Sequence, residues 1–365
     1  MSSLADLNLK YDPFREVTPS LDGDNLVWAE MEDVKSKMKK SYDDCINHRS
    51  KQVVLNWGKY GGGKTFSAYY FIKEYRQTKN LTQLYLRCPK DGGTATDEFF
   101  KGIIDFLSFD SIHEHIKSLL NEHGEKKLMD YLAPKASREY AKAICLIGSD
   151  DDNTKTLMNR FLYAGLTKTE LGKLGLAKAI QTDTDSIKFL SGLLSCFIGD
   201  DNIYSGKVIL WIDEMEDLIY YSQKNYKAFS QVLRDLFDSI SNGFLVFMNF
   251  TLAEGEESTV ELILGGAIWS RVTKKIRFKQ FTEENAKTYC VELLNYSKAN
   301  VKEDKPFTKD NIEKIITYIP AGNLTPREIN KHFSSLINYG LDKDLKTFTA
   351  KNIAEWATEY QENNS

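Results

Sequence analysis

The feature that most constrains this 365-residue chain is a short glycine-rich segment, GKYGGGKT at 58–65. It follows an apolar run at 53–57 and precedes residues with helical spacing to about residue 78. The segment fits G-x-x-x-x-G-K-[ST], in which glycines let successive backbone N–H groups face one cavity and bind phosphate oxygens. We therefore predict a strand, a phosphate-binding loop and a helix, leading by a right-handed crossover into a parallel sheet.

The loop supplies a defined set of contacts for a nucleotide. Lys64 would reach the β- and γ-phosphates, and the Thr65 hydroxyl would ligate Mg²⁺. The helix that follows adds the partial positive charge of its N-terminus. A flexible glycine-rich turn without a ligand is the alternative interpretation. The predicted nucleotide-binding residues are Gly58, Lys59, Tyr60, Gly61, Gly62, Gly63, Lys64, Thr65 and Phe66.

A second apolar run, 208–212, ends in two neighbouring carboxylates, Asp213 and Glu214. At the carboxyl end of a strand, Asp213 can hold Mg²⁺ through water, and Glu214 can polarise the water that attacks the γ-phosphate. A carboxylate pair in a solvated loop is the alternative. We interpret Glu216 and Asp217, at the same edge, as the start of a helix or a solvated face.

Around these two motifs the hydrophobic pattern divides the chain into parts. The predicted parts are an N-terminal arm and helix (1–50), a nucleotide-binding core (51–280) and a helical lid (281–365). Further strands are predicted at 83–88, 244–249 and 275–278. Residues 93–205 have helical spacing and no clear strand, so we interpret them as an inserted helical subdomain whose removal would spare nucleotide binding.

Composition excludes several classes of protein. Hydrophobic residues make up 42% and charged residues 27% of the chain, which suits a folded core. The net charge of −4 excludes a globally basic surface for nucleic acid. Five cysteines without a C-x-x-C pair argue for a reducing compartment and against a disulfide framework or zinc knuckle. There is no signal-peptide pattern and no apolar run of about 20 residues, so we predict a cytoplasmic protein without a membrane segment.

The phosphate loop, the acidic strand and the helical tail together resemble the AAA+ ATPases. Within them, the chain is most similar to an initiator-like branch of origin-recognition ATPases, transposition-regulator ATPases and ATP-binding proteins of phage-defence systems such as BREX. The resemblance covers about 50–360, apart from the central helical stretch. It implies a three-layer α/β P-loop NTPase core with a parallel sheet, a helical insertion and a C-terminal helical lid. It also implies ATP and Mg²⁺ as cofactors and hydrolysis of ATP to ADP and phosphate.

The resemblance further implies two residues that act on the γ-phosphate end. In this family a polar residue that ends the strand after the acidic strand orients the attacking water, which implies Asn249 here, with Thr251 as the alternative. The family's lid helix begins with an arginine that contacts the γ-phosphate. GNLTPREI at 322–329 is similar to that motif, and it implies Arg327.

A third implied arginine would act between subunits. The family places an arginine just before the last core strand, where it reaches into a neighbouring active site. Arg271 occupies that position, and Arg277 and Arg234 are the alternatives. The surrounding basic run, 271–279, is either a DNA-facing surface or a solvated edge.

The chain also departs from the family. Because no winged-helix pattern follows the lid helices in this sequence, we expect the family's usual DNA-reading module to be missing. The insertion at 93–205 is also far longer than the one helix the family needs. Stretches at 160–165 and 174–176 are similar to BREX-like ATPases. By positional analogy with the family, the arm at 11–28 would pack against the adenine.

Three functions remain open at this point. The first is an ATP-hydrolysing switch that forms homo-oligomers and acts on DNA, or recruits an effector, nuclease or transposase partner to it, in a mobile-element or antiviral-defence context. The second is a signalling NTPase whose nucleotide state controls an effector protein without DNA contact. The third is a nucleotide-binding adaptor with negligible turnover, against which the intact Glu214 argues.

Overall fold

The computed structural model describes residues 3–15, 26–200, 202–252, 257–320 and 322–364. Within those ranges the strands are β1 (Gln52–Gly58), β2 (Leu81–Arg87), β3 (Lys207–Asp213), β4 (Phe244–Thr251) and β5 (Lys274–Phe278). The helices are α1 (Glu32–His48), α2 (Lys64–Glu74), α3 (Ala95–Leu107), α4 (Phe109–His123), α5 (Glu125–Ala136), α6 (Arg138–Ile147), α7 (Asp152–Tyr163), α8 (Lys168–Lys173), α9 (Asp183–Ile198), α10 (Gln223–Ser239), α11 (Glu257–Trp269), α12 (Glu283–Ser297), α13 (Lys309–Ile316), α14 (Pro326–Asp342) and α15 (Ala350–Asn364). A 3₁₀ helix, Met215–Tyr220, follows β3.

The described strands form one parallel sheet in the order β2-β3-β4-β1-β5. The strand that leads into the phosphate loop is therefore interior, and its last residue, Gly58, is level with Thr251 on β4 and Phe278 on β5. On the other side of the sheet, Asp213 is level with Arg87. Since the carboxyl ends of parallel strands share one edge, the loop and the acidic strand end meet there. The predicted parallel α/β sheet is confirmed.

Both faces of the sheet are buried, because successive residues of a strand point to opposite sides. On β1, Leu55 faces one core while Val54 faces the other, and on β3 the same holds for Leu210 and Trp211. Helices α1 and α2 cover the face that carries Val54 and Trp211. Burial on both sides explains why β3 and β4 read as continuous apolar runs instead of alternating ones.

The helical segment expected at 93–205 is present as α3 to α9, but it is not an appendage. Its buried side chains, such as Phe99 on α3 and Leu193 on α9, belong to one continuous core with the sheet residues Leu55 and Leu210. Helix α9 is buried around almost its whole circumference from Asp185 onwards. The insertion therefore covers one face of the sheet, which argues against the expectation that its removal would spare nucleotide binding.

The first residues of the chain pack with its last helices. Leu7, Leu9 and Phe14 share a core with α12 to α15, and the Phe14 ring stacks on Phe333 at 4.8 Å between centroids. Residues 1–50, predicted as an arm and a helix, therefore pack in two places. The arm packs in the core of the lid, and α1 packs against the sheet.

The five cysteines of the chain are free and buried. In the part of the chain that the structure describes, no three His, Cys, Asp or Glu side chains cluster as metal ligands. No described helix has both the length and the apolar character that crossing a bilayer requires.

Candidate nucleotide-binding site

The phosphate loop joins β1 to α2 and depends on its glycines. Gly61 and Gly63 have φ values of 73° and 96°, in the left-handed region that residues with a Cβ rarely adopt. A Cβ on Gly58 would lie 2.4 Å from the carbonyl oxygen of Phe278, which no side chain could tolerate. Helix α2 begins immediately after the loop, at Lys64. The free N–H groups of its first turn are thereby available to phosphate oxygens.

Lys64 lies inside the curl of the loop and is only 5% exposed. Its Nζ donates hydrogen bonds to the carbonyl oxygens of Gly58 and Lys59, at 2.9 and 2.8 Å. Burial lowers the pKa of Lys64 to about 8, while Glu216 and Asp213 act in the opposite direction. The ammonium is therefore held at the loop, as expected, with two carboxylates near enough to influence its charge.

Thr65 and Asp213 form the pair expected of a Mg²⁺ site. The Thr65 hydroxyl donates to Asp213 Oδ2 at 2.7 Å, and the Tyr85 hydroxyl donates to the same oxygen at 2.7 Å. The Asp213 carboxylate is nearly buried, and its other oxygen accepts the Glu214 N–H at 3.0 Å. A hydroxyl and a carboxylate, both oxygen ligands, suit the hard cation Mg²⁺. Tyr85 was not anticipated, and nothing in its strand pattern distinguishes it from a packing tyrosine.

Glu214 lines the same cavity and has a strained backbone. Its φ and ψ are 58° and 37°, a left-handed conformation that costs roughly 1–2 kcal/mol for a residue with a Cβ. Its Oε1 lies 3.9 Å from Arg87 Nε. Strained residues of this kind concentrate at functional sites. The position is compatible with the role implied for Glu214, which remains a prediction.

Glu216 faces the cavity, which corrects its interpretation as a solvated residue. It does begin a helical segment, the 3₁₀ turn after β3, but its carboxylate turns back towards the phosphate loop. Its Oε2 accepts the backbone N–H of Thr251 at 2.8 Å. Burial raises the pKa of Glu216. The sequence signal, a third acidic residue at the end of the acidic strand, was present but pointed equally to a helix start.

Asn249 lies behind the phosphate loop and not on the cavity. It is fully buried, its Oδ1 accepts from Asn56 Nδ2 at 2.9 Å, and its Nδ2 donates to the Lys64 carbonyl at 3.3 Å. The alternative residue, Thr251, lines the cavity. Of the two residues considered, Thr251 is therefore the one at the cavity, two residues further along β4, and the water-orienting role stays a prediction.

Arg327 lies where the lid meets the phosphate loop. Thr325 caps helix α14 and Pro326 takes its first turn, as the sequence suggested. The Arg327 N–H donates to the Gly61 carbonyl at 3.3 Å, and its guanidinium lies 4.0 Å from the centre of the Tyr60 ring. Both side chains line the cavity. The lid residue expected to contact the γ-phosphate is thus adjacent to the loop.

Arg271 lies away from this cavity and is paired within its own subunit. Its Nε donates to Asp238 Oδ1 at 2.8 Å, and its Nη1 donates to the Ala267 carbonyl at 2.7 Å. The hydrogen bond from Arg271 lowers the pKa of Asp238. The alternative Arg234 is bonded to its neighbour Asp235. A distant position is what a residue acting on a neighbouring subunit requires, but Arg271 would first have to leave Asp238.

The basic run around Arg271 follows edge strand β5. Lys274 donates to the Ser41 hydroxyl at 2.8 Å, and Lys275 is paired with Glu257. Arg277 and Lys279 are exposed at this edge. The run therefore combines paired cations with two that face solvent.

A large cavity joins the phosphate loop and the acidic residues to the arm and the lid. Its volume is about 1050 Å³, at the upper end of the range for small-molecule sites. Besides the loop and acidic residues, it is lined by arm residues from Lys10 to Pro13 and by Val27 and Trp28. Of the arm segment expected near the adenine, residues 16–25 lie outside the described residues.

Comparison with known proteins bears on the fold. No protein-family profile and no curated protein matches the sequence. Among solved structures, the chain is similar to the ORC1 protein of Aeropyrum pernix in complex with DNA, with a TM-score of 0.52 and 11% identity over 95% of this chain and 69% of that one. The fold is that of an AAA+ P-loop NTPase.

A second solved structure has a similar fold. The ORC2 protein of Aeropyrum pernix, solved as ADPNP and ADP complexes, aligns with a TM-score of 0.52 and 8% identity over 94% of this chain and 71% of that one. At these identities the likeness concerns the AAA+ fold alone. The roles of individual residues therefore rest on the geometry described above.

Proposed function

We propose that this chain binds ATP with Mg²⁺ and hydrolyses it to ADP and phosphate, as a molecular switch. The observation that carries the proposal is the meeting of Lys64, the Thr65–Asp213 pair and Glu214 around one cavity large enough for a nucleotide. Residues 58–66 hold the phosphates, and Mg²⁺, when bound, neutralises phosphate charge beside Thr65 and Asp213.

The protein's own contribution to hydrolysis is positioning and charge. Lys64 stabilises the β- and γ-phosphates, and Arg327 approaches the γ-phosphate from the lid. Glu214 accepts a proton from the attacking water. Asn249 supports this arrangement from behind the loop through its hydrogen bond to the Lys64 carbonyl.

We further propose that the active site is completed by a second copy of the chain. Arg271 is the residue expected to reach the neighbouring γ-phosphate, since it lies outside its own cavity. A guanidinium supplied in trans is worth about 10³–10⁵ in the rate of other NTPases. Hydrolysis would then require two assembled subunits, and this requirement would couple the nucleotide state to oligomerisation.

The switch is proposed to act on DNA, or to recruit a partner protein to DNA, in a mobile-element or phage-defence context. The neighbour ORC1 was solved with DNA. On this chain, Arg277 and Lys279 on the edge of the sheet are exposed cations that could contact phosphates. Only a local contact is expected, because the net charge of the chain is −4.

Control of an effector protein without DNA is the alternative. The inserted helices are compatible with it, because residues 95–198 are nearly neutral, with 15 Asp and Glu against 13 Lys and Arg. They carry no excess of positive charge with which to attract DNA phosphates, so their surface suits a protein partner.

Lys64→Ala tests the nucleotide site. Loss of a hydrogen bond to a charged group costs about 1.5–3 kcal/mol, so ATP affinity in calorimetry should fall about 10- to 100-fold. The matched control is Lys79→Ala, an exposed lysine outside the cavity, which should bind ATP like the wild type. Equal ATP affinity of the Lys64→Ala variant and the wild type contradicts the proposed site.

Phosphate release and DNA binding separate the two functions. Wild-type protein should release phosphate from Mg-ATP, and on the leading proposal it should bind duplex DNA with an affinity that falls as salt rises. Turnover without salt-dependent DNA binding favours the effector alternative. No turnover at any protein concentration, with or without DNA, contradicts the ATPase itself.

A further inference from the structure

The phosphate end of the cavity is lined by three carboxylates, and the mechanism above uses two of them. Asp213 pairs with Thr65, and Glu214 faces Arg87. Glu216 lines the same cavity and is half-buried, yet it has no role in holding Mg²⁺ or accepting the proton. Burial of a carboxylate is costly unless it is well hydrogen-bonded, so the partners of Glu216 are informative.

Glu216 holds the backbone of one residue, Thr251. Its Oε2 accepts the Thr251 N–H at 2.8 Å, and both residues line the cavity. Thr251 is the last residue of β4 and is level with Gly58, where the phosphate loop begins. The pair therefore fixes a hydroxyl oxygen at the edge of the cavity, next to the loop.

The charge of Glu216 argues against a role in binding. Glu216 is one of two carboxylates, with Asp213, whose charge raises the pKa of Lys64 against the effect of burial. It therefore lies close to the group that would hold the β- and γ-phosphates. A negative charge beside Lys64 disfavours phosphate binding, so we assign the role of Glu216 to a later step.

We propose that Glu216 is a positioning residue for ATP hydrolysis and that it acts through Thr251; the inference rests on the hydrolysis proposed above. Because the Glu216 carboxylate holds the Thr251 N–H, it sets the position of the Thr251 hydroxyl, whose oxygen accepts a hydrogen bond from the attacking water. The other hydrogen of that water faces Glu214. As the water oxygen bonds to the γ-phosphorus, the bond from that phosphorus to the ADP oxygen breaks, and the proton passes to Glu214.

Substitution of Glu216 should separate binding from turnover. In Glu216→Ala the phosphate-release rate should fall about 10²-fold, the effect of misplacing a reacting group by about 1 Å. The same variant should bind ATP as tightly as the wild type or more tightly, because a repelling charge is gone. A purely structural role would weaken both. Glu216→Gln keeps an oxygen that accepts the Thr251 N–H, so it should recover part of the lost rate.

Thr251 supplies the matched pair of variants. Thr251→Val keeps the shape but loses the hydroxyl, and it should be as slow as Glu216→Ala. Thr251→Ser keeps the hydroxyl and should stay within about threefold of the wild-type rate. Glu261→Gln, an exposed glutamate on α11, controls for the removal of a negative charge and should change neither rate nor affinity.

The measurements are ATP affinity by calorimetry and single-turnover phosphate release, with thermal melting to confirm folding. Wild-type turnover combined with normal rates in Glu216→Ala and Thr251→Val overturns this assignment and leaves the ATPase intact. Absence of turnover in the wild type overturns the proposed function and the assignment with it. If Glu216→Ala does not fold, the comparison of Thr251→Val with Thr251→Ser decides.

Discussion

Glu214 has a left-handed backbone conformation, and its carboxylate lies beside Arg87 at the edge of the cavity. Glu214→Gln keeps the shape of the side chain but cannot accept a proton from water. We expect ATP affinity to stay within about threefold of the wild type while phosphate release falls by about 10²–10⁴. Arg87→Ala is the informative companion, because it frees Glu214 without changing the carboxylate. Wild-type turnover in Glu214→Gln would show that another group accepts the proton.

At the residue scale, the sequence predicts best where function depends on neighbours along the chain. The phosphate loop is contiguous, so its spacing alone defines Lys64 and Thr65. Glu216 and Tyr85 could not be found in this way. Glu216 reaches the cavity because a 3₁₀ turn directs it towards Thr251. Tyr85 forms a hydrogen bond with Asp213 of the neighbouring strand, far away in sequence.

At the scale of elements, the helices of the insertion bury one face of the sheet. Helices α3 and α9 share a core with the sheet residues, so deletion of residues 93–205 would expose an apolar sheet face. We expect that deletion to give no soluble, cooperatively melting protein. A soluble deletion variant that binds ATP would show the opposite, that the insertion is a separate unit.

A milder change measures the same contact. Leu193→Ala, at a fully buried position on α9, should lower the free energy of unfolding by about 2–5 kcal/mol, as read from chemical denaturation. Leu262→Ala is the matched control, since that leucine on α11 is 82% exposed and should have little effect. Equal stabilities of the two variants would contradict the shared core.

Strand ends limited what the sequence could predict at this scale. The apolar pattern predicts that β4 ends at Asn249, whereas the strand runs to Thr251. Two residues of a strand span about 6.6 Å, which is enough to move a side chain from the cavity edge to a place behind the loop. The helical pattern of 93–205 was correct, but periodicity does not tell which element a buried face packs against.

At the scale of the whole molecule, the proposed assembly depends on Arg271 leaving its partner Asp238. Arg271→Ala should leave ATP affinity unchanged and reduce phosphate release by about 10³–10⁵, if the guanidinium acts in trans. Asp238→Asn is the control, because it weakens the internal pair and should keep or raise the rate. Activity per subunit should also rise with protein concentration.

Mixing variants identifies which subunit supplies the arginine. Sites with intact Lys64 should be rescued when Arg271→Ala protein is mixed with Lys64→Ala protein, since each copy carries what the other lacks. Flat activity on dilution to a monomer, or normal hydrolysis by Arg271→Ala, would exclude this arrangement and make Arg234 the next residue to test.

Two described segments join the sheet to the lid. In the first, Ala29 belongs to the core of the lid and lies between Trp28 and Val34 of the sheet core, and the second runs from Phe278 to Phe281. A body joined to another at two points keeps one easy rotation, about the line through both joints, and twisting about other axes strains one of them. Rotation of the lid and its arm about that line would carry Arg327 towards the phosphate loop or away from it.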